Sequence, residues 1–281
     1  MLHRLAALLT SGLLLVAPAA AQPSSLPMVS PEFLDQSRDI NDDEILFCLN
    51  TTSALVEMDR EIAQAIGDAL LLNVRFHEVK SPFVIKPYDF RIPLSERDLF
   101  VTITNNCQAF MGVRLVPGQI PQWMTVSTPY YASRSVMATT DPAVTGFADI
   151  AAGSDIGSRL GSPGDAQFST YLRSLGESGR PRRIPYPSND VLLERLAEGS
   201  VDTVFIWEPA LYLAGNGDPA SLGIAATFPP PFSVPAIEFG VALLSQDTFV
   251  RGLIDEAIVA LRADGTLADI IDAHAIPRDR P

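Results

Sequence analysis

Short apolar runs closed off by turn-forming residues alternate along this chain with longer segments whose apolar residues recur every three or four positions. The first run, "EILFCLN" at 44–50, predicts a buried strand. Thr51, Thr52 and Ser53 then offer helix-capping oxygens, and "ALVEMDREIAQAIGDALLL" at 54–72 sets Leu55, Met58, Ile62, Ala65, Ile66, Ala69 and Leu70 at helical spacing. "NVRFHEV" at 73–79 has an alternating character, which predicts a second strand. Strand, helix and strand in succession make a βαβ unit, and its crossover makes the two strands parallel.

The unit recurs with variations. "LSERDLFVTITNN" at 94–106 combines acidic helix-start residues with a β-branched end, so it fits helix or strand, and a helix is expected. "QAFMGV" at 108–113 predicts a strand, and "VSTPYYASRSVMATT" at 126–140 an extended segment, broken by Pro129, that runs on into "SVMAT". "DIGSRLGSPGDAQFSTYLRSLGESG" at 155–179 reads as strand, Gly-rich turn and helix. "RRIPYP" at 182–187 is a short strand, "SNDVLLERLAEGS" at 188–200 a capped helix ending at Gly199, and "VDTVFIW" at 201–207 a further strand. The chain returns through "TFPPPFSVPAIEFGVALLS" at 227–245. It closes with two helices around Gly265, the first placing Val250, Leu253, Ile254, Ala257, Ile258 and Leu261 on one face. Two such series make an α/β protein long enough for two cores. Lobe one is expected to be discontinuous, 44–136 plus 240–281, and lobe two to cover 137–239, with hinge crossings near 135–140 and 237–242.

Composition narrows the setting. Residues 1–21 have the three parts of a secretory signal: Arg4, an apolar stretch over 5–16, and small residues at 19–21. That stretch is shorter than the about 20 apolar residues that span a bilayer. Export to the periplasm with cleavage after Ala21 is therefore expected, followed by a loose Pro- and Ser-rich lead-in over 22–43. No later segment is long and apolar enough to insert into a membrane. The net charge of −13 argues against nucleic acid, whose phosphates demand a basic face. Cys48 and Cys107 are the only cysteines, and in an oxidising compartment a disulfide between them is expected, with two buried thiols as the alternative. Catalytic constellations are missing. Beyond the signal only His77 and His274 remain, no Cys or carboxylate stands beside them at metal-ligand spacing, and "GSDIG", "GNGDPA" and "SRLGSPGD" each lack part of the motif they imitate. A non-enzymatic protein without cofactor or metal is expected.

Several stretches carry a resemblance. "EMDREIAQAIGDALLLNVRFHEV", "MTVSTPYYASRSVMAT", "IGSRLGSPGDAQFSTYL", "LLERLAEGSVDTVFIW" and "LRADGTLADII" resemble, in order and over nearly the whole chain after residue 21, the periplasmic solute-binding proteins of ABC transporters. The likeness is closest to the polar amino acid binding family. It implies a type II fold of two α/β lobes, each a mainly parallel sheet flanked by helices, joined by two crossover strands. Its function would be to hold a small polar or amphipathic solute in the cleft for an ABC permease. A narrower resemblance is to the members encoded with quinoprotein methanol dehydrogenases, through Cys48, "CQAFMGV" at 107–113 and "IWEPALYLAG" at 206–215. This one implies an accessory role with a quinoprotein (PQQ-dependent) dehydrogenase as partner. Glu208 stands where that subgroup has Gly. The Arg with which amino acid binders grip a ligand carboxylate is replaced by Gln122 and Trp123, and Arg114 could substitute only if its loop folds inward, which argues against an ordinary α-amino acid ligand.

Open α/β sheets bind ligands at the carboxyl ends of their strands. By that rule lobe one offers Asn50, Thr51 and Thr52, then Arg114 and Gln119, and Tyr130 or Tyr131. Lobe two offers Gly161, Ser162 and Asp165 at a helix start, although Asp165 is itself a fitting occupant of a helix N-terminus. Trp207 and Glu208 end a strand, where the ring could stack on a ligand and the carboxylate meet an amine or hydroxyl. Alternatively, Trp207 caps the core and Glu208 is solvated.

Overall fold

In the computed structural model the described residues are 43–80, 84–85, 90–91, 94–116, 118–176 and 180–278. The expected signal, and all of the expected lead-in except Asp43, lie outside them. Sheet one is ordered β2 (Asn73–Val79), β1 (Glu44–Asn50), β5 (Ala109–Leu115), β13 (Ile237–Leu244) and β6 (Met124–Val126), with β7 (Tyr131–Ser133) also on β13. Sheet two runs β10 (Arg182–Tyr186), β9 (Asp155–Arg159), β11 (Thr203–Trp207), β8 (Ser135–Thr139) and β12 (Ala226–Phe228). Each is parallel through its first three strands and antiparallel beyond them, at β13 and at β8. A separate pair, β3 (Val84–Ile85) and β4 (Phe90–Arg91), is antiparallel.

Helices cover the sheets. α1 (Val56–Ala69) buries Met58, Ile62, Ala63 and Ile66 against sheet one. α2 (Glu96–Asn106) settles the ambiguous stretch as helix: the Ser95 hydroxyl accepts from the Asp98 N–H, and the Asp98 carboxylate accepts from the Ser95 N–H. That reciprocal cap satisfies two donors that a helix start otherwise leaves bare, and it outweighs the β-branched end. In lobe two, α3 (Pro163–Ser174), α4 (Asn189–Ala197) and α5 (Glu208–Ala214) follow β9, β10 and β11. The chain ends with α6 (Thr248–Ala263) and α7 (Thr266–Ala273), and the expected face of α6 is buried through Val250, Ile254, Ala257, Ile258 and Leu261. Among the described residues no helix is long and apolar enough to cross a membrane.

Alternation along the strands gives each sheet two packed faces. Ile45, Phe47 and Leu49 of β1 enter one core of lobe one with α1 and α6, while Cys48 points to the other with Phe110, Trp123 and Ile103 of α2. Cys48 and Cys107 are bonded, with Cα atoms 5.7 Å apart, which ties β1 to the start of β5. In lobe two Val136 and Ala138 face one core, and Met137 faces the other with Phe168 and Phe205. Each fully buried Leu or Ile of this kind contributes about 1.5–3 kcal/mol. The chain passes between sheets at Arg134, the single residue separating β7 from β8, and returns through 229–236 between β12 and β13. Ser135–Thr139 thus belongs wholly to sheet two and Ile237–Leu244 wholly to sheet one.

Candidate functional site

A cavity of about 730 Å³ opens at the carboxyl ends of β1, β5 and β9. Lobe one supplies Asn50, Phe110, Gly112, Arg114, Gln119, Ile120 and Trp123, and lobe two reaches in with Arg159, Leu160 and Gly161. The wall is therefore drawn from both lobes, with an apolar floor and two guanidinium groups. Asn50, Arg114, Gln119 and Gly161 were candidates by the strand-end rule, and the fold brings these four together.

The Asn50 oxygen and the remaining candidates are engaged inside the protein. The Asn50 carboxamide oxygen accepts from the Thr52 N–H at 3.0 Å and from its hydroxyl at 2.7 Å, while the Thr51 hydroxyl donates to the Val79 carbonyl at 3.2 Å. These bonds build the turn into α1. Ser162 caps α3, its hydroxyl accepting from the Asp165 N–H. Asp165 is buried and accepts from Ser158, from the Gly161 N–H and from both forks of Arg183, at 2.5 and 2.6 Å. Burial works to raise its pKa, but the bonds from Arg183, Ser158 and Gly161 prevail and hold it below the ordinary carboxylate value. The helix N-terminus that could have met an anion is thus filled by the chain's own acid.

Trp207 and Glu208 answer differently from the strand-end expectation. The half-buried indole packs against the cores of both lobes and against Phe239, at 6.0 Å between ring centroids. Its N–H donates to the Ser133 hydroxyl at 2.7 Å. Glu208 is buried and takes a two-pronged bond from Arg134, Nε at 2.8 Å and Nη2 at 3.1 Å, while its backbone N–H donates to the Arg134 carbonyl at 2.9 Å. Both residues hold the first crossing. Arg134 was not singled out in the sequence; a lone cation between two strands that belong to different sheets is the signal that finds it.

Tyr130 and Tyr131 are buried in lobe one rather than in the cavity wall. The Tyr131 hydroxyl donates to the Pro277 carbonyl at 3.1 Å. Tyr130 donates to Asp59 at 2.6 Å and accepts from the Gly112 N–H at 2.8 Å. Gly112 has φ of 72°, and a Cβ there would come within 2.5 Å of the Asp59 carboxylate, so glycine is the residue that fits. It sits beside a register shift in the β5–β13 pairing, a bulge of the kind that re-aims side chains next to sites, here Arg114 on the cavity rim. Burial pushes Asp59 up to about 7, against the lowering effect of the Tyr130 bond.

Arg159 and Trp123 complete the wall. Arg159 ends β9 and so stands at a strand end itself, immediately before Leu160 and Gly161. Trp123, noted where an amino acid binder has its Arg, donates to the Glu96 carboxylate at 2.9 Å. Neither Arg114 nor Arg159 has an acidic partner among the described residues.

Two sheets with the chain crossing twice between them match the fold of known structures along most of the chain. Substrate-binding domain 2 of Lactococcus lactis GlnP, in an open conformation, superposes with a TM-score of 0.64 at 16% identity, covering 86% of this chain and 99% of that one. An ancestral cationic amino acid solute-binding protein gives 0.61 at 14%, covering 82% and 95%. A Streptococcus pneumoniae ABC uptake transporter substrate-binding protein with bound histidine gives 0.54 at 18%, covering 82% and 92%. This is the two-lobed periplasmic binding protein fold. No protein-family model and no curated protein sequence matches the chain, so the likeness is one of fold. Within the periplasmic binding protein fold, the cavity here obeys the strand-end rule from which the candidates were drawn.

Proposed function

We propose that this chain is an exported solute-binding protein that holds a small molecule between its lobes for an ABC-type importer. The observation that carries the reading is the cavity of about 730 Å³ at the strand ends, walled from both lobes. Its size suits a small ligand, and apolar walls with a few polar groups are what such sites present. The similar solved structures are substrate-binding proteins or domains, which supports the same reading by analogy of fold. Crossings confined to Arg134 and 229–236 suit closure by hinge motion. Thermal-shift and calorimetric screening against organic acids, amines, amino acids and sugars tests it, with small-angle scattering to follow lobe closure. A solute that raises the melting temperature and contracts the particle supports the proposal; no response to any solute class refutes it.

A second reading is favoured by the Cys48–Cys107 bond together with "CQAFMGV" and "IWEPALYLAG". In that reading the protein is an accessory partner of a quinoprotein dehydrogenase and serves no permease. Co-elution with a purified methanol dehydrogenase, together with silence across the solutes, selects it.

A further inference from the structure

We infer that the ligand of the cleft is an amphipathic carboxylate, an acid group on an apolar body, with no ammonium group required for recognition. The inference rests on the solute-binding reading and specifies the chemistry of the same site.

Charge is the first argument. The chain is acidic, yet Arg114 from lobe one and Arg159 from lobe two line the same cavity. Three other arginines, at the crossing and in lobe two, are paired with acids: Arg134 with Glu208, Arg182 with Asp155 and Arg183 with Asp165. Arg114 and Arg159 carry no such partner among the described residues, and Arg159 is half-buried. Guanidinium groups approaching from two lobes, with five N–H donors each, meet an anion that arrives from solvent. A carboxylate accepts such donors in pairs, with charge-assisted bonds about twice as strong as neutral ones.

The second argument is the lack of a seat for a cation. Asp165 and Glu208, two acids that follow strand ends of lobe two, are each buried beneath an arginine fork. Among the described residues Glu96 is the only acid lining the cavity, and it already accepts from the Trp123 indole. An ammonium group would meet two guanidinium charges and one engaged carboxylate, so it adds repulsion without a matching partner. The third argument is the walls. Phe110, Ile120 and Trp123 share the cavity with Leu160, a large apolar side chain left 53% exposed. Phe110 and Trp123 are already buried, and an apolar body set against them covers the exposed Leu160 side chain.

The test is isothermal titration of the purified protein with matched probes: 3-phenylpropionate and octanoate, their amides, their amines, and phenylalanine, which is 3-phenylpropionate with an ammonium group added. The carboxylates should bind at least about 10-fold more tightly than their amides, since bonds to charged groups carry that much more free energy. Amines should not bind, and phenylalanine should bind no more tightly than 3-phenylpropionate. Arg159→Gln and Arg114→Gln should each weaken 3-phenylpropionate by about 10- to 100-fold. Both should keep the melting temperature, because neither guanidinium pairs with an acid of the fold among the described residues. Arg173→Gln, on α3 outside the cavity, should bind as the parent does. Equal binding of amide and carboxylate, preference for phenylalanine or an amine, or unchanged affinity in the two variants overturns the inference. Silence from every carboxylate overturns it as well. If sugars or amines then bind, the solute-binding reading survives in another chemistry, whereas silence from all classes removes both.

Discussion

Asp59 should make lobe one lose stability as pH rises through the acid range, and replacing it with Asn should abolish that loss. The carboxyl is buried in α1 between Tyr130 and Gly112, with the Tyr130 hydroxyl as its side-chain donor. Burial raises its pKa from 3.8 to about 7. Well below pH 3.8 the acid is protonated in both folded and unfolded chains, and its contribution to stability is fully present. Between 3.8 and about 7 the unfolded chain has released the proton and the folded chain has not, so folding stability falls with each unit of pH. At about 1.36 kcal/mol per unit the total loss is on the order of 4 kcal/mol, complete once the pH has passed through the folded value. Tyr130 is shifted upward, by burial first and by the Asp59 charge second, and does not titrate in this window. Asp98, Asp165 and Asp264 are held below their ordinary value and stabilise the fold above it, losing that contribution as pH falls. They are common to both chains and cancel in the difference. Urea unfolding from pH 4 to pH 8, with the disulfide intact, should give a stability of the Asp59→Asn variant relative to the parent that climbs by this amount and then levels. Parallel curves for the two chains would refute the reasoning, because they would mean that the carboxyl titrates alike folded and unfolded.

Trp207→Ala should lower stability by about 2–4 kcal/mol, because the ring joins the cores of both lobes; a melting temperature unchanged within about a degree would place the indole at the surface instead. Glu208→Gln breaks a bidentate pair whose Arg134 side chain is 53% exposed and can turn to water, so the loss should be only about 1–2 kcal/mol. Scattering should also report a broader range of lobe angles in that variant, and an unaltered range would exclude a clamp at the crossing. Gly112→Ala should cost about 2 kcal/mol or more and be strongly non-additive with Asp59→Ala, since the added methyl collides with that carboxylate; simple additivity in a double-mutant cycle counts against the collision. Reduction of the Cys48–Cys107 bond, which spans 59 positions, should destabilise the protein by about 4 kcal/mol on the chain-entropy account, measured by unfolding with and without reductant.

Most of the longer elements and their order were legible in the sequence, whereas no pattern pointed to α5 or to the short strands β3, β4, β6 and β12. Period-two and period-3.6 patterns placed β1, α1, β2, β9 and β11 and the buried face of α6, because burial of one face is a local property of each segment. Strand ends rich in polar residues pointed to one end of the sheets, and Asn50, Arg114, Gln119 and Gly161 line a cavity there. The pairing of Cys48 with Cys107 was expected from compartment and count, and the adjacency of β1 and β5 makes it. Which polar groups are already occupied was settled by the assembled fold alone. Asp165, Glu208 and Trp207 looked available in the sequence, but Arg183, Arg134 and Ser133, lying 18 to 74 positions away, claim them. Asp59 gave a faint signal, four residues after Leu55 and three before Ile62 on the apolar stripe of α1, yet its partners Tyr130 and Gly112 are distant in the chain. Periodicity records whether a side chain faces inward. Its bonding partner depends on register and crossover geometry between segments far apart in sequence, and that information exists only once the sheets are assembled.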